Sequence, residues 1–150
     1  MRISVNIGGS RRQNAALRKF AKRGNLTANY ANDRLSERLL QIIQELITTG
    51  PKTGRVYTRS RPQRRHQASA PGQAPANDLG TLANSFVAQQ RRINQYVYQT
   101  QVGSNLVYAA ALQYGMPDKN LLPRPYFDVA IRKLRREADG IVADSWRRTG

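Results

Sequence analysis

His66 is the single histidine of the chain, and there is no cysteine. It stands in the run Arg64-Arg65-His66-Gln67, with no neighbouring acid to orient the ring and no second histidine to share a metal. A general base needs fixed geometry and a tuned pKa, so no catalytic or ligand role is expected of it. Asp33 and Glu37 lie four apart and would share a helix face, the spacing of an acid pair or half a metal site. Arg34 and Arg38 stand beside them, however, and a solvated face with local ion pairs is the commoner use of that pattern. Glu137 and Asp139 would not share a face, and Gly8-Gly9 lacks the spacing of a phosphate cradle. Absence of cysteine removes disulfides, iron–sulfur clusters, thiol catalysis and the usual structural zinc sites. The expectation is a protein with no catalytic residues, no cofactor and no metal.

What remains is charge. Lys plus Arg number 25 against 9 for Asp plus Glu, a net charge of +16. Residues 51–76 hold six bases and no acid. These are Lys52, Arg55, Arg59, Arg61, Arg64 and Arg65, the main candidate for a binding surface. Arginine offers a flat fork of donors suited to phosphates and carboxylates alike. Phosphate neutralisation would give sequence-independent, salt-sensitive affinity. Tyr57 lies among these residues, but one aromatic does not make a base-stacking platform. Docking onto an acidic protein surface, or simple solvation of the segment, remain equally open at this point.

The elements that must carry these residues follow from periodicity. Residues 2–7 alternate as a half-buried strand, ended by Gly8-Gly9. A short basic helix over 10–23 should stop at Gly24-Asn25. A long amphipathic helix over 27–49 follows, with Leu35, Leu39, Ile42, Ile43 and Leu46 on one stripe and Gly50-Pro51 as its stop. Residues 54–58 could form a brief strand. Beyond it, Pro62, Pro71 and Pro75 among Ser, Ala and Gln argue against helix or central strand. Residues 52–76 therefore read as a long extended arm, of which residues 59–76 should be ordered only against a partner. A short helix capped by Asn77 or Asp78 and two strands, 86–90 and 93–102, come next. Residues 106–114 read as a short buried helix capped by Gly115. The second long helix covers 126–148, with Phe127, Ile131, Leu134, Ala138, Ile141 and Ser145 on one stripe. One α+β domain over residues 1–150 is expected, a small antiparallel sheet packed on two long amphipathic helices. No apolar run approaches the length of a membrane span, and the first residues lack a signal-peptide block, so an intracellular product is expected.

Four segments together resemble a family of bacteriophage tail-component proteins, the tail-completion, neck or head–tail joining proteins. They are T-G-R-V-Y at 53–57, A-S-A-P-G-Q-A-P-A-N-D-L-G-T-L at 68–82, V-G-S-N-L-V-Y-A-A-A-L-Q-Y-G at 102–115 and L-P-R-P-Y-F-D-V-A at 122–130. The resemblance covers about residues 50–145; Leu79 stands where the family usually has Thr. It implies a non-enzymatic virion protein, assembled in the host cytoplasm. It further implies a ring of six subunits, or a multiple of six, between the head connector and the tail. Partners would be other copies, the adjacent connector and tail proteins, and packaged DNA through non-specific contact. Under this reading Tyr57, Pro71, Pro75, Arg124 and Tyr126 are interface candidates beside the basic arm. The rival expectation is a free basic nucleic-acid-binding protein.

Overall fold

The computed structural model describes residues 11–60, 63–94 and 97–149. The strand expected at 2–7 lies outside them. Helix α1 spans Arg11–Thr48, strands β1 and β2 span Val56–Ser60 and Gln63–Gln67, and strands β3 and β4 span Phe86–Arg92 and Tyr98–Ser104. Helix α2 (Val107–Tyr114), a 3₁₀ turn (Pro117–Lys119) and helix α3 (Phe127–Arg148) complete the chain. Each strand pair is its own antiparallel two-stranded sheet, so the α+β class is right while the sheet is divided in two.

The two helices expected before residue 50 are one helix of 38 residues, about 57 Å long at 1.5 Å per residue. Gly24 costs about 1 kcal/mol inside a helix, yet contacts on both sides of it hold the axis. The Arg23 guanidinium stacks 4.3 Å from the Trp146 ring centre and donates to the Trp146 carbonyl at 2.9 Å. Asn25 accepts from the Tyr98 hydroxyl at 2.5 Å, and Thr27 meets Thr149 hydroxyl to hydroxyl at 2.6 Å. Tertiary contact overrides local propensity here.

The core lies where α1, α3 and β3 converge. Ile42, Ile43 and Ile47 are wholly buried with Ala130, and Leu82, Ala83, Phe86, Ala109 and Tyr126 close around them. Each isoleucine contributes about 1.5–3 kcal/mol by leaving water. Phe86 and Tyr126 meet edge to face, with centroids 5.5 Å apart. The expected stripe of α3 is the one that packs, with Ser145 buried and Phe127, Ile131, Leu134, Ala138 and Ile141 half-buried. In β4, Tyr98, Thr100 and Val102 face the body while Gln99 and Gln101 face outward, as the alternation predicts. Two ion pairs tie the long helices or decorate them: Arg38 bridges α1 to α3 through Glu137 at 2.6 Å and also reaches Glu45 at 3.2 Å.

Three sequence expectations are corrected. Residues 56–60 and 63–67 are not an extended arm but paired antiparallel strands, from Val56 opposite Gln67 to Ser60 opposite Gln63, with backbone hydrogen bonds at alternate pairs. Residues 68–77 do not hang free either: Ser69 and Pro75 are buried, and Gly72 N–H donates to Pro123 at 3.0 Å. Residues 77–84 form successive turns instead of a helix, begun by Asn77 Oδ1 accepting from Gly80 N–H at 2.8 Å.

Candidate functional site

Lys52 belongs to the frame, which corrects its place in the basic set. Its ammonium donates to the carbonyls of Leu46 at 3.1 Å and Ala74 at 3.0 Å. It thereby caps the C-terminus of α1, whose last carbonyls lack helical partners. Burial lowers its pKa below the ordinary lysine value. Beyond it the chain turns through Thr53 and Gly54 into the hairpin. Gln73 Oε1 accepts from Thr53 N–H at 3.0 Å and Ala70 N–H at 2.9 Å, stitching the two roots of the hairpin together. A Cβ at Gly54 would lie 2.7 Å from the carbonyl oxygens of Ala68 and Ser69, so glycine is required at that crossing.

The ladder sets which basic positions share a face. Tyr57 pairs with His66, Thr58 with Arg65 and Arg59 with Arg64, while Arg61 lies outside the described residues. Arg55 and Arg65 are exposed, and the Arg55 guanidinium sits 5.5 Å from the centre of the half-exposed Tyr57 ring. No extensive packing joins this hairpin to a helix or another strand among the described residues. It is a basic finger held at its root.

One contact at that root contradicts the sequence reading. Nδ1 of His66 lies 3.7 Å from Oδ1 of Asp78, and both side chains are mostly buried. The signal was available, since Asp78 is the lone acid between Glu45 and Asp118. The pair anchors the finger, and among the described residues no three His, Asp or Glu side chains gather as a metal cluster.

Beside this anchor opens a cleft of about 330 Å³, lined in part by Pro75, Asp78, Leu79, Tyr108, Leu112 and Arg124. Arg124 spans it: its backbone N–H donates to Leu112 at 2.8 Å and its Nη2 to the Ser69 carbonyl at 3.3 Å. Its Nε is buried without a hydrogen-bond partner. Pro71 is exposed in the turn above, whereas Pro75 is buried as a wall. Tyr126 is not an interface residue. It is 3% exposed, donates its hydroxyl to the Ala109 carbonyl at 3.1 Å, and burial pushes its pKa up to about 12. Sequence reasoning does not join Asp78, Leu79 and Tyr108 into one cleft, because they meet only through the tertiary fold.

The four sequence segments singled out above converge here. Ala68 N–H donates to Arg55, Gly72 N–H to Pro123, and Arg124 N–H to Leu112. Gln113 Oε1 accepts from the N–H groups of Tyr126 at 3.0 Å and Phe127 at 2.9 Å. At Gly115, φ is +81°, and a Cβ would meet the Leu121 carbonyl at 2.8 Å. That backbone turn sends the chain back towards Arg124. Comparison with protein-family models, curated proteins and solved structures finds no match for this chain.

Proposed function

We propose that the chain is a structural virion protein of a tailed phage. In this reading it forms a ring at the head–tail junction that joins connector to tail around the DNA path. The observation that carries the reading is the convergence of the four segments that resemble the neck family. They are scattered over residues 53–130, yet they hydrogen-bond to one another around one cleft and one finger root. The basic finger supports it further. A projecting element with little packing of its own gains order and area by crossing onto a neighbour. Arg55, Arg59, Arg61, Arg64 and Arg65 then meet acidic side chains of an adjacent ring, or phosphates lining the channel. Protein is the favoured partner, since many arginine forks on DNA would slow its exit.

Ring closure requires heterologous contacts, one patch meeting a different patch on the next copy. The reading assigns no enzymatic step. The test reverses the five arginines to glutamate in an infectious clone. Heads and tails should both form, with joined particles falling at least about tenfold; normal joining would contradict the docking role. A free nucleic-acid-binding protein is the second reading, favoured by the exposed Arg55–Tyr57 stack. It predicts tight duplex binding by the isolated chain that weakens steeply with salt.

A further inference from the structure

Helix α2 buries Ala109 and its one polar side chain on one face and leaves an apolar face in solvent. Its sequence, Val107 to Tyr114, contains one strongly polar side chain, Gln113, and that side chain is buried. Val107 is 96% exposed and Tyr114 is 74% exposed, with Ala110 open between them. The sequence reading of a buried helix therefore holds for one face only, and the cause is local. Gln113 accepts from two N–H groups at the start of α3 and donates to Asp128 at 2.9 Å, standing in for the missing N-cap of that helix. Fixing Gln113 inward rotates positions 107, 110 and 114, spaced three and four apart, outward as one ridge.

A receptor for such a ridge lies on the same molecule. Between α1, β4 and α3 runs an open groove of about 360 Å³, lined chiefly by Leu35, Leu39, Val102, Phe127, Ile131 and Leu134. Its lining holds no charged residue, and it shares no residue with the ridge. Charge decides the occupant. The chain carries +16, yet residues 93–117 carry no charged side chain at all. Two copies meeting through most other faces would bring like charges together, which disfavours contact. Ridge against groove avoids this.

We propose that the α2 ridge of one copy seats in the α1–β4–α3 groove of a second copy. The contact is head-to-tail and leaves a free ridge and a free groove at its ends, so it propagates as a ring must. It deepens the ring reading and rests on it for closure, but the contact itself is tested on the purified chain.

Because the chain has no cysteine, the contact can be read by crosslinking. Full-length Val107→Cys and Ile131→Cys proteins are purified separately, mixed and oxidised mildly. The account expects the mixed dimer to exceed either self-dimer several-fold. Adding Tyr114→Arg to the Val107→Cys chain should cut the mixed product about tenfold, the scale of a lost interface anchor. Raising ionic strength from about 0.1 M to about 1 M shortens the Debye length from about 10 to about 3 Å and should increase the product. Val107 and Tyr114 stand in solvent, so wild-type melts of their variants separate a lost contact from a lost fold. Self-dimers of Val107→Cys in excess, no mixed product at high salt, or insensitivity to Tyr114→Arg would each overturn the proposal. A positive crosslink from a chain absent from phage necks would keep the contact and remove the virion role.

Discussion

The two hairpins share an architecture and differ in what covers them. In β3–β4, one face lies on α1, and burial alternates residue by residue along β4. Thr100 donates to Asn32 at 3.0 Å and Gln90 to Ser36 at 3.3 Å, so even its polar side chains on that face are committed to the body. Among the described residues, no helix packs extensively on either face of β1–β2. Its exposed residues are Arg, Gln, Thr and Ser with Val56 and Tyr57, and His66 beside Asp78 ties it to the body at its root. An isolated two-stranded hairpin is marginal in water. The first hairpin is a wall of the fold, and the second is an appendage whose composition suits an outside partner.

Breaking the wall should be the largest effect. Phe86→Ala removes a core ring that is 7% exposed and packed on Tyr126. The expected loss is about 3–5 kcal/mol in denaturant unfolding, enough to threaten a domain of ordinary stability. A loss under about 1 kcal/mol would show that β3 is not bound into the core. Next comes the root of the appendage. Gly54→Val forces a side chain into two carbonyl oxygens, and should cost about 1–3 kcal/mol while disordering residues 56–67. Hydrogen exchange should show protection lost in that hairpin and kept in β3–β4.

This contrast also explains what the sequence disclosed. The stripes of α1 and α3 and the alternation of β4 were readable because a single face of each is buried, so burial leaves a period. The β1–β2 hairpin looks like an arm in the sequence because a strand without a covered face has no apolar period, and three nearby prolines argue against pairing. Only the positions of those prolines mattered: Pro71 and Pro75 fall after the ladder ends. The cleft at Asp78, Tyr108 and Arg124 depends on meetings across long chain separations that no local pattern records. The exposed apolar face of α2 is illegible for a related reason, since the burial of Gln113 is decided by the start of α3.

Smaller effects sharpen the comparison. Tyr126→Phe should remove one late phenol from the alkaline absorbance titration. Burial favours its neutral form, so its stabilising share is full below the ordinary value of 10.0 and is lost as pH rises towards about 12. Glu137 behaves oppositely. The hydrogen bond from Arg38 holds its pKa below the usual 4.5, so the bridge contributes above that value and is lost as pH falls through the depressed one. Both partners are partly exposed, so Glu137→Gln should cost no more than about 1 kcal/mol at neutral pH and nothing in acid. The smallest effect belongs to the appendage: Arg55→Glu with Arg65→Glu should move stability by about 0.5 kcal/mol or less. A larger shift would mean that the finger is part of the fold after all.

The central claim is the place of this chain in a particle. The direct measurement, under the proposed reading, is electron cryomicroscopy of the head–tail junction of a tailed phage carrying this protein, with the described residues fitted into the density. The account predicts a closed ring of six copies, or a multiple of six, between connector and tail, each basic finger crossing onto a neighbouring chain. A neck that lacks the protein, or holds it as an isolated copy with residues 56–67 facing solvent, would contradict it.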